Sequence, residues 1–197
     1  MKRVAVFFPG MGYHTDRPLF YYTKKLLRKA DYEIIEVDYE GIDTRVFDEI
    51  QNYTKLFSAS EHGEALESFI HAACKRVLEQ LATVDFRQYN EVLFVAKSIG
   101  TVISQRVAQE SVCTAKLLLL TPIEMALHMV KDSEAVAFCG TADPIAPLAP
   151  IRTLCEQKNI PMFPVEGGNH SLETGDVEVD IDNLKTIMTR VSEWIAS

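Results

Sequence analysis

Six short apolar runs, each closed by a turn signal, constrain the fold more than any other feature of the chain. Val4 to Phe8, Glu33 to Val37, Glu91 to Ala96, Lys116 to Leu120, Ala135 to Cys139 and Met162 to Val165 have the length of β-strands. Several are apolar on both faces, and such a strand needs a cover on each side, as helices give a parallel sheet. The stretches between the runs supply those helices: Leu19 to Ala30, Glu64 to Leu81, Ile99 to Gln109, Ile123 to Val130, Pro147 to Gln157 and Ile181 to Ile195. Strand and helix alternate. This predicts an α/β fold, a three-layer α/β/α sandwich with a doubly wound, mostly parallel sheet of about six strands and right-handed crossovers.

No internal repeat, low-complexity segment or Pro/Ser-rich linker divides residues 1–197, so one domain is expected, and 47% hydrophobic content is enough to give it a sizeable core. The longest irregular stretch is Tyr39 to Gly63, with a short helix expected around Val46 to Leu56. Gly175 to Asp180 is expected to wrap over the surface ahead of the last helix. Val4 to Phe8 and Glu91 to Ala96 should be central strands. Glu33 to Val37 and Met162 to Val165 should be the edges, and either edge is available for pairing in a homo-oligomer.

A formal net charge of −8 argues against nucleic acid and anionic membrane surfaces as partners. No run approaches the about 18 apolar residues of a membrane span. The opening MKRVAVFFPG breaks at Pro9 and Gly10, too early for a signal peptide. Cys74, Cys113, Cys139 and Cys155 lie far apart with no C-x-x-C pair, and read as reduced core residues of a cytoplasmic protein.

In an open parallel sheet, ligands bind beyond the carboxyl ends of the strands, near the point where the strand order reverses. Four features of this sequence fall there: the loop Pro9-Gly10-Met11-Gly12, Ser98, Asp143 and His170. A serine hydroxyl attacks only when a base removes its proton, and a histidine titrating near neutrality suits that role. His170, in EGGNHSLE, follows the last strand on a small-residue loop. Asp143, in CGTADPIAP, follows the penultimate strand, where a carboxylate can hold the imidazole in one tautomer. The backbone N–H groups of Ile99 and Met11 are the expected oxyanion donors.

Together these residues resemble a small α/β-hydrolase. The resemblance rests on the elbow Ala96-Lys97-Ser98-Ile99-Gly100, the loop FPGMG, the acid in GTADPIAP, the base in GGNHSLE, and the chain order Ser, Asp, His. It departs from the family pattern at Ala96, where a Gly is usual, and at Pro9, where a His often precedes the Gly. The chain also begins at what resembles the family's third strand, which implies a minimal version of the fold. TPIEMALHMVKDSE leaves room for one short helix where many relatives insert a lid. An open or shallow site follows, suited to small or exposed acyl groups, although Tyr39 to Gly63 is long enough to overhang it.

Each residue also has a plainer reading. Ser98 alone is an N-cap, Asp143-Pro144 alone a turn, and His170 alone a loop cap or buried polar group; their joint order and placement carry the triad. Gly10, Gly12, Tyr13 and His14 in the first loop, and Glu124 after Thr121-Pro122, are the candidate substrate-binding residues. Glu124 is also an alternative source of the acid, with Asp143 preferred for its more typical acid loop. Lys97 is expected to point away from Ser98 and form a structural salt bridge. His62, His71 and His128 are read as surface or helix-face residues. No histidine pair has metal-ligand spacing, and GGNH and PGMG are too short for nucleotide loops, so no metal and no cofactor are expected.

The sequence thus points to a serine hydrolase acting through an acyl-enzyme on a small-molecule ester, thioester or related acyl bond. A catalytically weak binding module, or hydrolysis of dienelactones or carbon–carbon bonds on the same triad, are the alternatives on this fold.

Overall fold

Alternation of apolar side chains decides which face of the sheet each residue serves. In β3 (Glu91–Lys97), Phe94 and Ala96 belong to one buried cluster and Leu93 and Val95 to another. The same division runs through β1 (Arg3–Phe8), β4 (Lys116–Leu120) and β5 (Ala135–Gly140), so each needs a helical layer on both sides. The structure, a computed structural model, describes residues 1–48, 60–131 and 134–197.

β2 (Tyr32–Glu36) and β6 (Met162–Val165) complete a six-stranded sheet of order β2-β1-β3-β4-β5-β6, with every neighbouring pair parallel. Each strand lies within one residue of its expected bounds, and β2 and β6 are the edges. Pro164 leaves β6 one backbone donor short, a residue tolerated on an edge and not inside a ladder.

On one face, α1 (Pro18–Lys29) and α7 (Val177–Ile195) cover Phe7, Val95 and Phe138. On the other, α3 (Ser60–Gln80), α4 (Ile99–Glu110), α5 (Glu124–Met129) and α6 (Leu148–Gln157) cover Phe8, Phe94 and Leu119. None of the described helices is long and apolar enough to cross a membrane.

Two helices begin about a full turn earlier than their apolar periodicity implies. α3 starts at Ser60, and α7 at Val177, so Val177 to Asp180 form a helical turn and do not wrap the surface. The cause at α7 is capping. Asp176 Oδ1 accepts from the N–H groups of Glu178 and Val179 at 3.0 and 3.2 Å, and Asp180 ties back Thr174 N and Oγ1 at 2.6 and 2.7 Å. Of the helix expected over Val46 to Leu56, α2 (Arg45–Asp48) is described; the remainder lies outside the described residues.

From β1 the chain steps outward to β2 and then returns across β1 to β3, so the strand order reverses between β1 and β3. Their carboxyl ends, Phe8 and Lys97, open the crevice in which a ligand is expected.

Candidate active site

Ser98 stands at the mouth of that crevice in a sharp turn between β3 and α4, with φ 53° and ψ −124°. This left-handed φ is unfavourable for a side-chain-bearing residue and is held only where neighbours enforce it. One enforcing contact is at Gly100, where a Cβ would lie 2.4 Å from the Phe8 carbonyl oxygen and 2.5 Å from that of Pro9. Another is the Ser98 N–H, which donates to the Leu120 carbonyl at 3.1 Å. The small residues of the elbow therefore let α4 start against the end of β1.

Glycine does similar work at the base. A Cβ on Gly140 would fall 2.1 Å from the Gly168 carbonyl oxygen, so the loops after β5 and β6 lie directly against each other. Gly167 N donates to Thr141 Oγ1 at 2.8 Å, and Ala142 N to Gly168 O at 3.0 Å. Asn169 Oδ1 accepts from Ser171 N at 2.7 Å and fixes the turn that carries His170.

These loops bring the three candidates together. His170 Nε2 lies 2.7 Å from Ser98 Oγ, and His170 Nδ1 lies 2.7 Å from Asp143 Oδ2. The Asp143 side chain is 1% exposed, and its Oδ1 accepts from Ile145 N at 2.8 Å and Ala146 N at 3.1 Å. Burial pushes the His170 pKa below its ordinary value, with the Lys97 charge acting in the same direction and Asp143 opposing both. A neutral imidazole held this way can accept the serine proton. Glu124, the alternative acid, is exposed on α5 beside His128 at 3.5 Å, while His170 has Asp143 as its carboxylate partner.

Ile99 is the first residue of α4, where an N–H has no intrahelical acceptor. Met11 sits in the tight turn closed by Tyr13 N to Gly10 O at 3.2 Å, with Gly12 at φ 67°. No backbone carbonyl among the described residues accepts from either N–H. Gly10 lies close behind Ser98, since a Cβ there would be 3.1 Å from Ser98 Cβ. His14 is exposed on the same loop.

Two expectations are corrected. Tyr13, a candidate substrate contact, is taken up by the core: its ring packs edge-on against Phe20, and its hydroxyl accepts from Leu19 N at 3.3 Å. Lys97 points away from Ser98 as expected but forms no ion pair among the described residues. Its Nζ donates instead to the His170 carbonyl at 2.7 Å and to Thr121 Oγ1 at 3.1 Å. The lysine stem is long enough to reach behind the histidine loop, where carbonyl and hydroxyl acceptors are available. Tyr39 was not legible as a site residue; its hydroxyl donates to the Pro9 carbonyl at 3.1 Å and steadies the first loop.

The fold is that of the α/β hydrolases. The chain is structurally similar to Est1E from Butyrivibrio proteoclasticus, at a TM-score of 0.66 and 12% identity over 100% of this chain and 89% of that one. A lidless α/β serine hydrolase from Xanthomonas campestris gives 0.65 and 12% over 98% and 81%. An α/β serine hydrolase homologue from Coxiella burnetii gives 0.63 and 13% over 98% and 84%. No family model and no curated protein matches the sequence.

Proposed function

We propose that the protein is a serine hydrolase cleaving an ester, thioester or related acyl bond of a small molecule. The observation that carries this reading is the unbroken pair of 2.7 Å contacts from Ser98 through His170 to Asp143. Ser98 Oγ attacks the acyl carbon while its proton passes to His170 Nε2, and Asp143 stabilises the imidazolium. The N–H groups of Ile99 and Met11 receive the oxyanion. His170 then protonates the leaving group, water adds to the acyl-enzyme with His170 as base, and Ser98 is released with its proton restored. No cofactor is required.

The likeness to solved structures described as serine hydrolases supports the same class. Between β4 and β5 the described chain holds one six-residue helix, α5, which favours acyl groups that do not need a deep cover. We place this work in a reducing cytoplasm, on the ground that the four cysteines include no C-x-x-C pair.

The test is labelling with a fluorophosphonate probe, read by intact mass. One adduct on the wild type and none on folded Ser98→Ala is expected. Folded wild type that takes no adduct would overturn the proposal and leave a binding module as the better description.

A further inference from the structure

Lys97 is 2% exposed and is buried as deeply as the core phenylalanines. The alternation of β3 sends its side chain to the α1 and α7 side of the sheet, with Leu93 and Val95. An ammonium group in such a place is costly unless it is held by strong acceptors. The acceptors come from separate loops: Thr121 Oγ1 after β4 and the His170 carbonyl after β6, with the Tyr13 ring 4.6 Å from Nζ. Thr121 is itself at φ 45°, a conformation that a β-branched residue rarely adopts. Among the described residues no carboxylate pairs with this ammonium group, and its shorter contact is to the His170 carbonyl.

We propose that Lys97 is a positioning residue: its ammonium group holds the His170 main chain from behind, keeping the imidazole between Asp143 and Ser98, and its positive charge disfavours a second positive charge there. The catalytic consequence rests on the serine-hydrolase reading; the effect on His170 does not.

The groups bearing on Lys97 come from every neighbouring strand end. Tyr13 follows β1, Thr121 follows β4, Asp143 follows β5, and His170 and Glu173 follow β6. Asp143 and Glu173 favour the charged lysine, while burial, the larger effect, lowers its pKa to about 8. Near neutrality the ammonium form prevails. In that form it disfavours a second positive charge on His170, acting in the same direction as the larger effect of burial.

A lysine that only fills space makes a different prediction. Lys97→Met keeps the volume and removes charge and donor; Lys97→Gln removes the charge and keeps a donor; Lys97→Arg keeps both. The imidazole of His170 is followed by NMR against pH, its signal assigned by loss in His170→Gln, alongside kcat and KM for an activated ester.

Lys97→Met should raise the His170 titration midpoint and move the acidic limb of kcat/KM with it. It should also lower kcat by about 10- to 100-fold with little change in KM. Lys97→Arg should keep the low midpoint, and Lys97→Gln should share the raised midpoint with a smaller loss of kcat. Folded Lys97→Met with the wild-type midpoint and kcat would overturn the proposal, and if Lys97→Met does not fold, an unchanged midpoint in Lys97→Gln would do so. Absence of hydrolysis and probe labelling in the wild type would instead defeat the hydrolase reading, while the NMR midpoints still decide the role of Lys97.

Discussion

Asp143 fixes a choice that Ser98 and His170 cannot make between themselves. By accepting from Nδ1 it leaves the lone pair of Nε2 facing Ser98 Oγ, 2.7 Å away. Asparagine is nearly the same shape but can turn an NH₂ group toward Nδ1 and stabilise the other tautomer. Asp143→Asn should therefore lower kcat by about 10⁴-fold with a far smaller effect on KM, measured on any ester that the wild type turns over. Thermal stability close to wild type would show that the loss lies in the tautomer and not in the fold. That Ser98, Asp143 and His170 come within hydrogen-bond reach of one another was legible because all three follow strand ends. Lys97 was half legible: the elbow gave its direction away from Ser98, but only the assembled sheet reveals that Thr121 and the His170 carbonyl wait there. Tyr39 lies too far from Pro9 in sequence for spacing to reveal their contact.

At the scale of elements, strands were easier to read than helix starts. β3 from Val92 to Ala96 and β4 from Leu117 to Leu120 are apolar on both faces, a pattern that leaves little freedom in placing them. The start of α7 depends on charged side chains that also suit a surface loop. Asp176 and Asp180 turn that ambiguity into a helix by satisfying the first N–H groups and the backbone just before them. Asp176→Ala should cost about 1 kcal/mol and lower the melting midpoint by about 2–4 °C, measured by circular dichroism. An unchanged midpoint would mean that packing of Ile187 and Val191, and not the cap, sets where α7 begins.

For the molecule as a whole, the buried lysine makes stability depend on pH. Its pKa is about 8 in the native state against 10.5 ordinarily. Between those values the unfolded chain holds a proton that the folded chain has released, so stability rises with pH through this window and is lost as pH falls through the folded pKa. From pH 7.5 to 9.5 the wild type should gain about 2 kcal/mol relative to Lys97→Met. Urea unfolding of both proteins at the two pH values gives this difference. Parallel changes in the two proteins would mean that Lys97 keeps its proton throughout.

The sheet also orders events during synthesis. Ser98 leaves the ribosome after β1, β2 and β3, and Asp143 after β5, while His170 waits for β6, the edge strand that pairs with β5. A nascent chain can thus assemble five neighbouring strands and display both the alcohol and the acid without a base to join them. Until that outermost strand is in place, the alcohol and the acid have no histidine between them.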